Sequence, residues 1–189
     1  MARPRSLPDD IVLARLLQTL SQAGPDNLTF QRAAAGVGLS AATLVQRFGS
    51  REKMVEATLL FAWDRLESET GLADAQHPDT PDGAVALLLY LTPEDMTGAG
   101  FADGLLLLRE DVRNPVLRAR GAAWGEFLAQ ALGRRLTGSR SEASRLGWQM
   151  ASLWQGALVW QGFRQDAAAK NTIRQMLEEW CAMTARSLP

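Results

Sequence analysis

Residues able to do covalent chemistry are few in this chain of 189 residues, which holds one histidine, His77, and one cysteine, Cys181. Two soft ligands are too few for a structural zinc site, and a lone cysteine cannot form an internal disulfide. The acidic pairs Glu94-Asp95, Glu110-Asp111 and Glu178-Glu179 are neighbours in sequence. Adjacent side chains on a helix do not face one another, so none of these pairs reads as a matched acid and base. No glycine-rich phosphate loop is present. The sequence therefore implies no catalytic residues, no metal and no cofactor. Recognition is the other chemistry on offer, and it concentrates between Thr29 and Lys53, where hydroxyls, an amide and cations recur at helical spacing around Gly38. Two short helices joined by a tight glycine turn make a helix-turn-helix, whose second helix lies in the major groove of DNA. A plain αα-hairpin with a glycine turn has the same local pattern, and both readings stay open at this point.

The elements that must position these residues read as helical almost throughout. Leu13, Leu16, Leu17 and Leu20 repeat at intervals of three and four behind Asp9 and Asp10, acids suited to a helix N-terminus. Gly24-Pro25-Asp26-Asn27 breaks that helix. Thr29 can cap a second helix running through Phe30, Ala33, Ala34 and Val37, and Ser40 a third covering residues 41–48. Ala34 is the small residue where the two helices approach, and Val37, Leu39 and Leu44 supply their shared core. Gly49-Ser50 opens a long fourth helix. A polar loop over 77–83, a short helix over 84–91 and a loop over 92–100 follow. The periodicity then predicts helices over roughly 101–112, 115–136, 141–165 and 168–187, about nine helices in an all-α chain. The expected domains are residues 1–54, a three-helix unit carrying the turn, and 55–189, a helical remainder.

The composition fits one soluble chain with a sizeable core: 47% of residues are apolar and 22% charged, and a chain this long buries about 70% of its unfolded surface. The longest dense apolar run, residues 84–91, is far below the ~20 residues that cross a bilayer. No membrane partner and a cytoplasmic location are expected. The net charge of −1 hides an asymmetry. Residues 1–56 carry seven basic and five acidic side chains, a net of +2, and the remainder carries 13 basic and 16 acidic, a net of −3.

The run Thr29-Phe30-Gln31-Arg32-Ala33-Ala34-Ala35-Gly36-Val37-Gly38-Leu39-Ser40-Ala41-Ala42-Thr43-Leu44-Val45-Gln46-Arg47-Phe48-Gly49-Ser50-Arg51-Glu52-Lys53 resembles the DNA-binding segment of TetR-family transcriptional regulators. Asn114-Pro115-Val116-Leu117-Arg118 is similar to a step between helices of that family's ligand domain. Two positions depart from the pattern. Val45 stands where a tyrosine is usual, removing one phosphate contact, and Arg47 stands where a histidine is usual, offering a charged one. The resemblance implies a regulator, habitually a repressor, that binds a palindromic double-stranded DNA operator as a homodimer. It assigns Thr29, Arg47, Arg51 and Lys53 to the DNA backbone, with the start of the fourth helix at Ser50 offering amides to a phosphate, and places Arg32 among the DNA-binding residues. It turns Ser40, Ala41, Ala42, Thr43 and Gln46 toward the groove. The alanines can meet a thymine methyl, and Thr43 and Gln46 can hydrogen-bond, Gln best to adenine.

Two further expectations concern the remainder. The helix over 141–165 is apolar on two sides, one holding Leu146, Met150, Leu153 and Ala157, and must be buried on both. With Ile173, Met176, Leu177 and Trp180 of the last helix it is expected to form a four-helix dimer interface, a fully internal helix pair being the other reading. The block is also rich in large apolar groups, among them Trp148, Trp160 and Phe163, that suit either a core or a small-molecule pocket. Trp63, Tyr90, Phe101, Arg109, Trp124, Phe127 and Trp154 are the candidate contacts for an unidentified, apolar or aromatic effector. The alternatives are a helical ligand-binding dimer without DNA binding and, less favoured, an all-helical enzyme.

Overall fold

The computed structural model describes residues 7–94 and 107–187. Among them lie nine α-helices and no strand: α1 (Asp9–Ala23), α2 (Phe30–Val37), α3 (Ala41–Phe48), α4 (Arg51–Gln76), α5 (Pro81–Leu91), α6 (residues 107–113), α7 (Pro115–Leu136), α8 (Arg140–Arg164) and α9 (Ala169–Ser187). Of the helix expected over 101–112 and the loop over 92–100, residues 95–106 lie outside the described residues. The chain forms two compact units. The described part of the first is residues 7–65 and 107–120, and that of the second is 66–94 and 121–187. Both α4 and α7 contribute residues to each unit.

In the first unit, α1 carries Asp9 and Asp10 in its opening turn and buries Val12, Leu16 and Leu20. Leu13 and Leu17 are only half-buried. Gly24, at φ 75°, ends the helix, and Pro25–Asn27 makes one 3-10 turn. Thr29 caps α2, its Oγ1 accepting from the Arg32 amide at 3.2 Å. The helix ends at Gly38, which adopts φ 78° and ψ 31°, a left-handed conformation open to glycine at no steric cost. Arg15 of α1 closes the same end by donating to the Val37 carbonyl at 2.7 Å. The close approach of α1 and α2 belongs to Gly36, where a Cβ would stand 2.1 Å from Thr19 Oγ1. Val12, Leu16, Leu20, Leu28, Val37 and Leu44 are the centre of this unit's core.

In the second unit, α5 starts three residues before the expected Ala84, because Thr80 caps it and Pro81 fills the first position, where a missing N–H costs nothing. Leu87 and Leu88 are fully buried against α9 and α8 residues such as Ile173, Leu177 and Met150. Glycines let α7 and α8 meet backbone to backbone: a Cβ on Gly147 would lie 1.9 Å from the Ala129 carbonyl oxygen, and one on Gly133 2.2 Å from that of Ala143. Arg135 is the buried charge of the unit. It donates to Asp74 Oδ1 at 2.6 Å and to the carbonyls of Asp74, His77, Pro78 and Ala131 at 2.7, 2.8, 3.1 and 2.8 Å. One guanidinium thereby closes the α4–α5 connection. Among the described residues, no helix is long and apolar enough to cross a membrane, and no group of three or more His, Cys, Asp or Glu could hold a metal ion.

Candidate nucleic-acid interface

Helix α3 owes its start to Ser40, whose Oγ accepts from the Thr43 amide at 3.1 Å, satisfying one of the free donors of a helix N-terminus. Leu44 is its buried anchor, and Phe48 and Leu39 pack partly against the same core. The opposite face is open: Ser40, Ala42, Thr43, Val45 and Gln46 are exposed, and Ala41 is half-exposed. The two hydroxyls on that face engage each other, Ser40 Oγ and Thr43 Oγ1 lying 2.8 Å apart. Gln46 therefore presents the one amide of an otherwise small and apolar surface. Val45, 43% exposed, adds an apolar patch beside it.

The cations divide into two sets. Lys53 is exposed at the first turn of α4, and Arg32 is exposed on α2 with a long 3.4 Å contact to the Asn27 carbonyl. Arg47 and Arg51 instead hold the backbone. Arg47 donates to the Leu7 carbonyl at 2.9 Å and pairs with Asp9 at 3.3 Å, tying the end of α3 to the start of α1. Its Nη1 is buried without a partner. Arg51 donates to the Leu28 carbonyl at 3.1 Å and to that of Pro25, satisfying the 3-10 turn. A guanidinium has its donors in a fixed fork, so groups committed in this way have few left for a phosphate. The amides that open α4 are also engaged. The Lys53 amide donates to Ser50 Oγ at 3.2 Å. The carboxylate of Glu52, held below its usual range by its own backbone amide and by Ser50, sits at this helix start as a built-in anion.

Helix α6 belongs to the same unit through side-chain contacts. Arg109 pairs with Asp26 at 3.1 Å and with Glu110 at 3.0 Å, Trp63 donates to Asp111 Oδ1 at 3.0 Å, and Asn114 donates to Glu56 at 2.6 Å. Asn114 also accepts from the Val116 amide at 2.8 Å, capping α7. Burial pushes the Asp111 carboxyl above its usual range, against the pull of the Trp63 bond. The candidate effector residues Trp63 and Arg109 thus serve as fastenings within the first unit.

The other candidate effector residues fall in the second unit, apart from Phe101, which lies outside the described residues. Trp124 and Trp154 line one groove of about 350 Å³ between α7 and α8, joined by Trp148 and Gln155. Trp154 is buried and donates to Thr92 Oγ1 at 2.9 Å, and Trp124 donates to Thr70 Oγ1 at 3.0 Å. Phe127 is half-buried, and Tyr90 is exposed with its ring edge-on to His77. The eight candidate interface residues also separate. Leu146, Met150, Ile173 and Leu177 are at most 2% exposed and form part of the unit's own core. Leu153, Ala157, Met176 and Trp180 are half-buried at its margin. Beyond them, in the single chain, stand large apolar groups that face solvent: Trp148 at 41%, Met183 at 60%, Trp160 at 65% and Phe163 at 72%. A two-sided apolar helix says in sequence that both sides are covered, and only the packing says which side faces inward.

No protein-family model and no curated protein matches the sequence. Solved structures do match the fold. A transcriptional regulator from Rhodococcus sp. Rha1 superposes with a TM-score of 0.77 at 14% identity, over 96% of this chain and 100% of that one. A TetR transcription regulator from Haloarcula marismortui gives 0.71 at 18% identity, over 92% and 96%. A TetR transcriptional regulator from Legionella pneumophila gives 0.69 at 15% identity, over 94% and 98%. The chain has the fold shared by these regulators, two of them TetR regulators, along nearly its whole length.

Proposed function

We propose that this chain is a TetR-type transcriptional regulator, acting as a repressor, that binds a palindromic operator as a homodimer and releases it on binding a small effector. The observation that carries the reading is α3: a short helix, capped by Ser40 and set by the Gly38 turn, whose exposed face is small side chains around one amide. Such a face suits a major groove, where close backbone approach needs small residues and Gln pairs bidentately with adenine. Thr29, Arg32 and Lys53 are the phosphate contacts we favour, with Arg47 and Arg51 as braces that fix the reading helix. The large apolar side chains of α8 and α9 that face solvent, Trp160 and Phe163 packed against each other among them, support the homodimer, since exposed apolar surface of this kind marks interaction sites. The groove between α7 and α8, walled by Trp124, Trp148 and Trp154, suits an apolar or aromatic effector with a polar handle for Gln155.

The test is selection of bound DNA from a random pool. A two-fold motif, with half-sites about 34–36 Å apart or at a larger spacing, is the expected result. Failure to enrich any sequence would instead support a ligand-binding dimer without an operator.

A further inference from the structure

A second groove, of about 300 Å³, runs between α8 and α9. Leu153, Ala157, Ile173 and Met176 make its apolar walls, and Trp160 and Gln161 stand at adjacent positions along it. Two features of it are unmatched. Gln161 is 97% buried, only 3% of its surface being exposed, yet its Oε1 has no hydrogen-bond partner. A buried unpaired amide oxygen keeps its full desolvation cost, so such a group is normally satisfied in the functional state. Beside it, Trp160 is 65% exposed, its ring tilted against Phe163 at 5.7 Å, and its Nε1–H donates to no described residue. Gly156 leaves an opening in the wall, for a Cβ built there would meet nothing within 4 Å.

A lone acceptor in a groove and a lone donor on a projecting aromatic ring, one residue apart, complement each other but belong to one chain. Both needs are met when two copies face each other about a two-fold axis, because an isologous interface lets each copy offer the knob and receive it. We propose that in the homodimer the partner subunit's Trp160 enters the α8/α9 groove and donates its indole N–H to Gln161 Oε1, and reciprocally. The inference rests on the homodimer reading and names its anchor. Tryptophan buries roughly 150–250 Å² and is the commonest kind of interface hot spot, especially where its N–H finds a partner. The groove holds about 300 Å³ with mostly apolar walls, and Gln161, whose buried amide must turn toward the groove to accept, is among the residues that line it.

The experiment measures the dimer dissociation constant by sedimentation equilibrium of the full chain, with helix content by circular dichroism as the folding control. Trp160→Ala is expected to weaken the dimer by at least about a hundredfold without loss of helix, since the side chain is exposed in the single chain. Trp160→Phe, which keeps a ring and removes only the N–H, is expected to cost about thirtyfold, as symmetry deletes the bond twice. Gln161→Leu should cost a similar factor, and the double variant should be no weaker than either single one. Gly156→Leu, at a position where a Cβ meets nothing within 4 Å, adds bulk to the groove wall and should weaken the dimer independently. A wild-type monomer at micromolar concentration would overturn the homodimer reading and this inference together. A stable dimer indifferent to Trp160→Ala, or one in which the Trp160→Phe and Gln161→Leu effects add, would overturn this inference alone. So would a bound small molecule found in the groove of the intact dimer.

Discussion

Replacing Arg47 separates a brace from a phosphate contact. If Arg47 holds the backbone, Arg47→Gln removes a charged hydrogen bond of 2.9 Å to the Leu7 carbonyl and a 3.3 Å pair with Asp9. The Asp9 carboxylate is 78% exposed, so the pair adds under about 1 kcal/mol. The bond to Leu7, from a cation to a carbonyl, is worth about 1.5 kcal/mol or more, which brings the expected destabilisation to about 2 kcal/mol. Lys53→Gln, at an exposed position, should leave stability within ~0.5 kcal/mol. The salt dependence of DNA binding should behave in the opposite way. Each phosphate contact contributes about 0.9 to the slope of log affinity against log salt, so removing Lys53 from both protomers should flatten it by about 1.8. Over a fourfold rise in salt that is about a tenfold smaller loss of affinity. Arg47→Gln should leave the slope unchanged. Fluorescence anisotropy on a labelled operator across 50–200 mM salt, with urea denaturation in parallel, reads both quantities. A slope flattened by Arg47→Gln as much as by Lys53→Gln would refute the division of the cations drawn from this geometry.

Four further outcomes are expected. Glu52→Gln should strengthen operator binding by about threefold, because it removes an anion from the helix start that would face phosphate on the proposed reading; unchanged or weaker binding would show that this end of α4 does not approach DNA. Arg135→Met should destabilise the chain by about 3–5 kcal/mol in urea denaturation, since it leaves Asp74 and four carbonyls without their buried donor, and a loss under ~1 kcal/mol would contradict the clamp. Burial pushes the Asp74 carboxyl up, but the bonds from Arg134 and Arg135 outweigh it and hold the group below its ordinary 3.8. A depressed folded value stabilises fully above the unfolded one and is lost as pH falls through the folded one, so its contribution should be intact at pH 5, begin to fall below about pH 4 and disappear as pH drops through the lower folded value in acid titrations of stability. Cys181, pushed up to about 11 by burial and by Asp82 and Glu178, should react with a disulfide reagent at pH 8 about a hundredfold more slowly in the native chain than in the unfolded one, and equal rates would contradict its burial.

What could be read from the sequence was local. The caps at Thr29 and Ser40 and the left-handed turn at Gly38 depend on residues within four positions of each other, so short-range rules reached them. The tasks of Arg47 and Arg51 were not legible, because the carbonyls they hold come from Leu7 and Leu28, 40 and 23 residues away. Arg134 and Arg135 are neighbours of one type, yet the side chain of one is 43% exposed and that of the other fully buried. On α1, stripes through Leu13 and Leu17 and through Val12, Leu16 and Leu20 fit the same spacing, and packing chose the second. Leu146, Met150, Ile173 and Leu177, expected at a dimer interface from their spacing, are buried in the chain's own core, because periodicity marks an apolar face without saying what covers it.

The reading face also sets how specificity must arise. With the Ser40 and Thr43 hydroxyls bonded to each other, Gln46 would be the direct reader of the proposed operator, and one bidentate amide is worth about 1–3 kcal/mol of discrimination. Two copies give about 2–6 kcal/mol, at the lower end of the ~4–10 kcal/mol that separates specific from non-specific binding. The shortfall has to come from thymine methyls against Ala42 and Val45 and from the shape of the site between the half-sites, which only a dimer can sense. Non-specific attraction to DNA would be weak as well, because the front of the chain carries a net charge of only +2 and Arg47 and Arg51 are engaged internally. A protein so built depends on its second copy more than a strongly basic one would: halving the reading face removes most of its discrimination while leaving little electrostatic binding behind. On the proposed reading, the strength of an α8 and α9 interface would therefore set the concentration at which an operator is recognised.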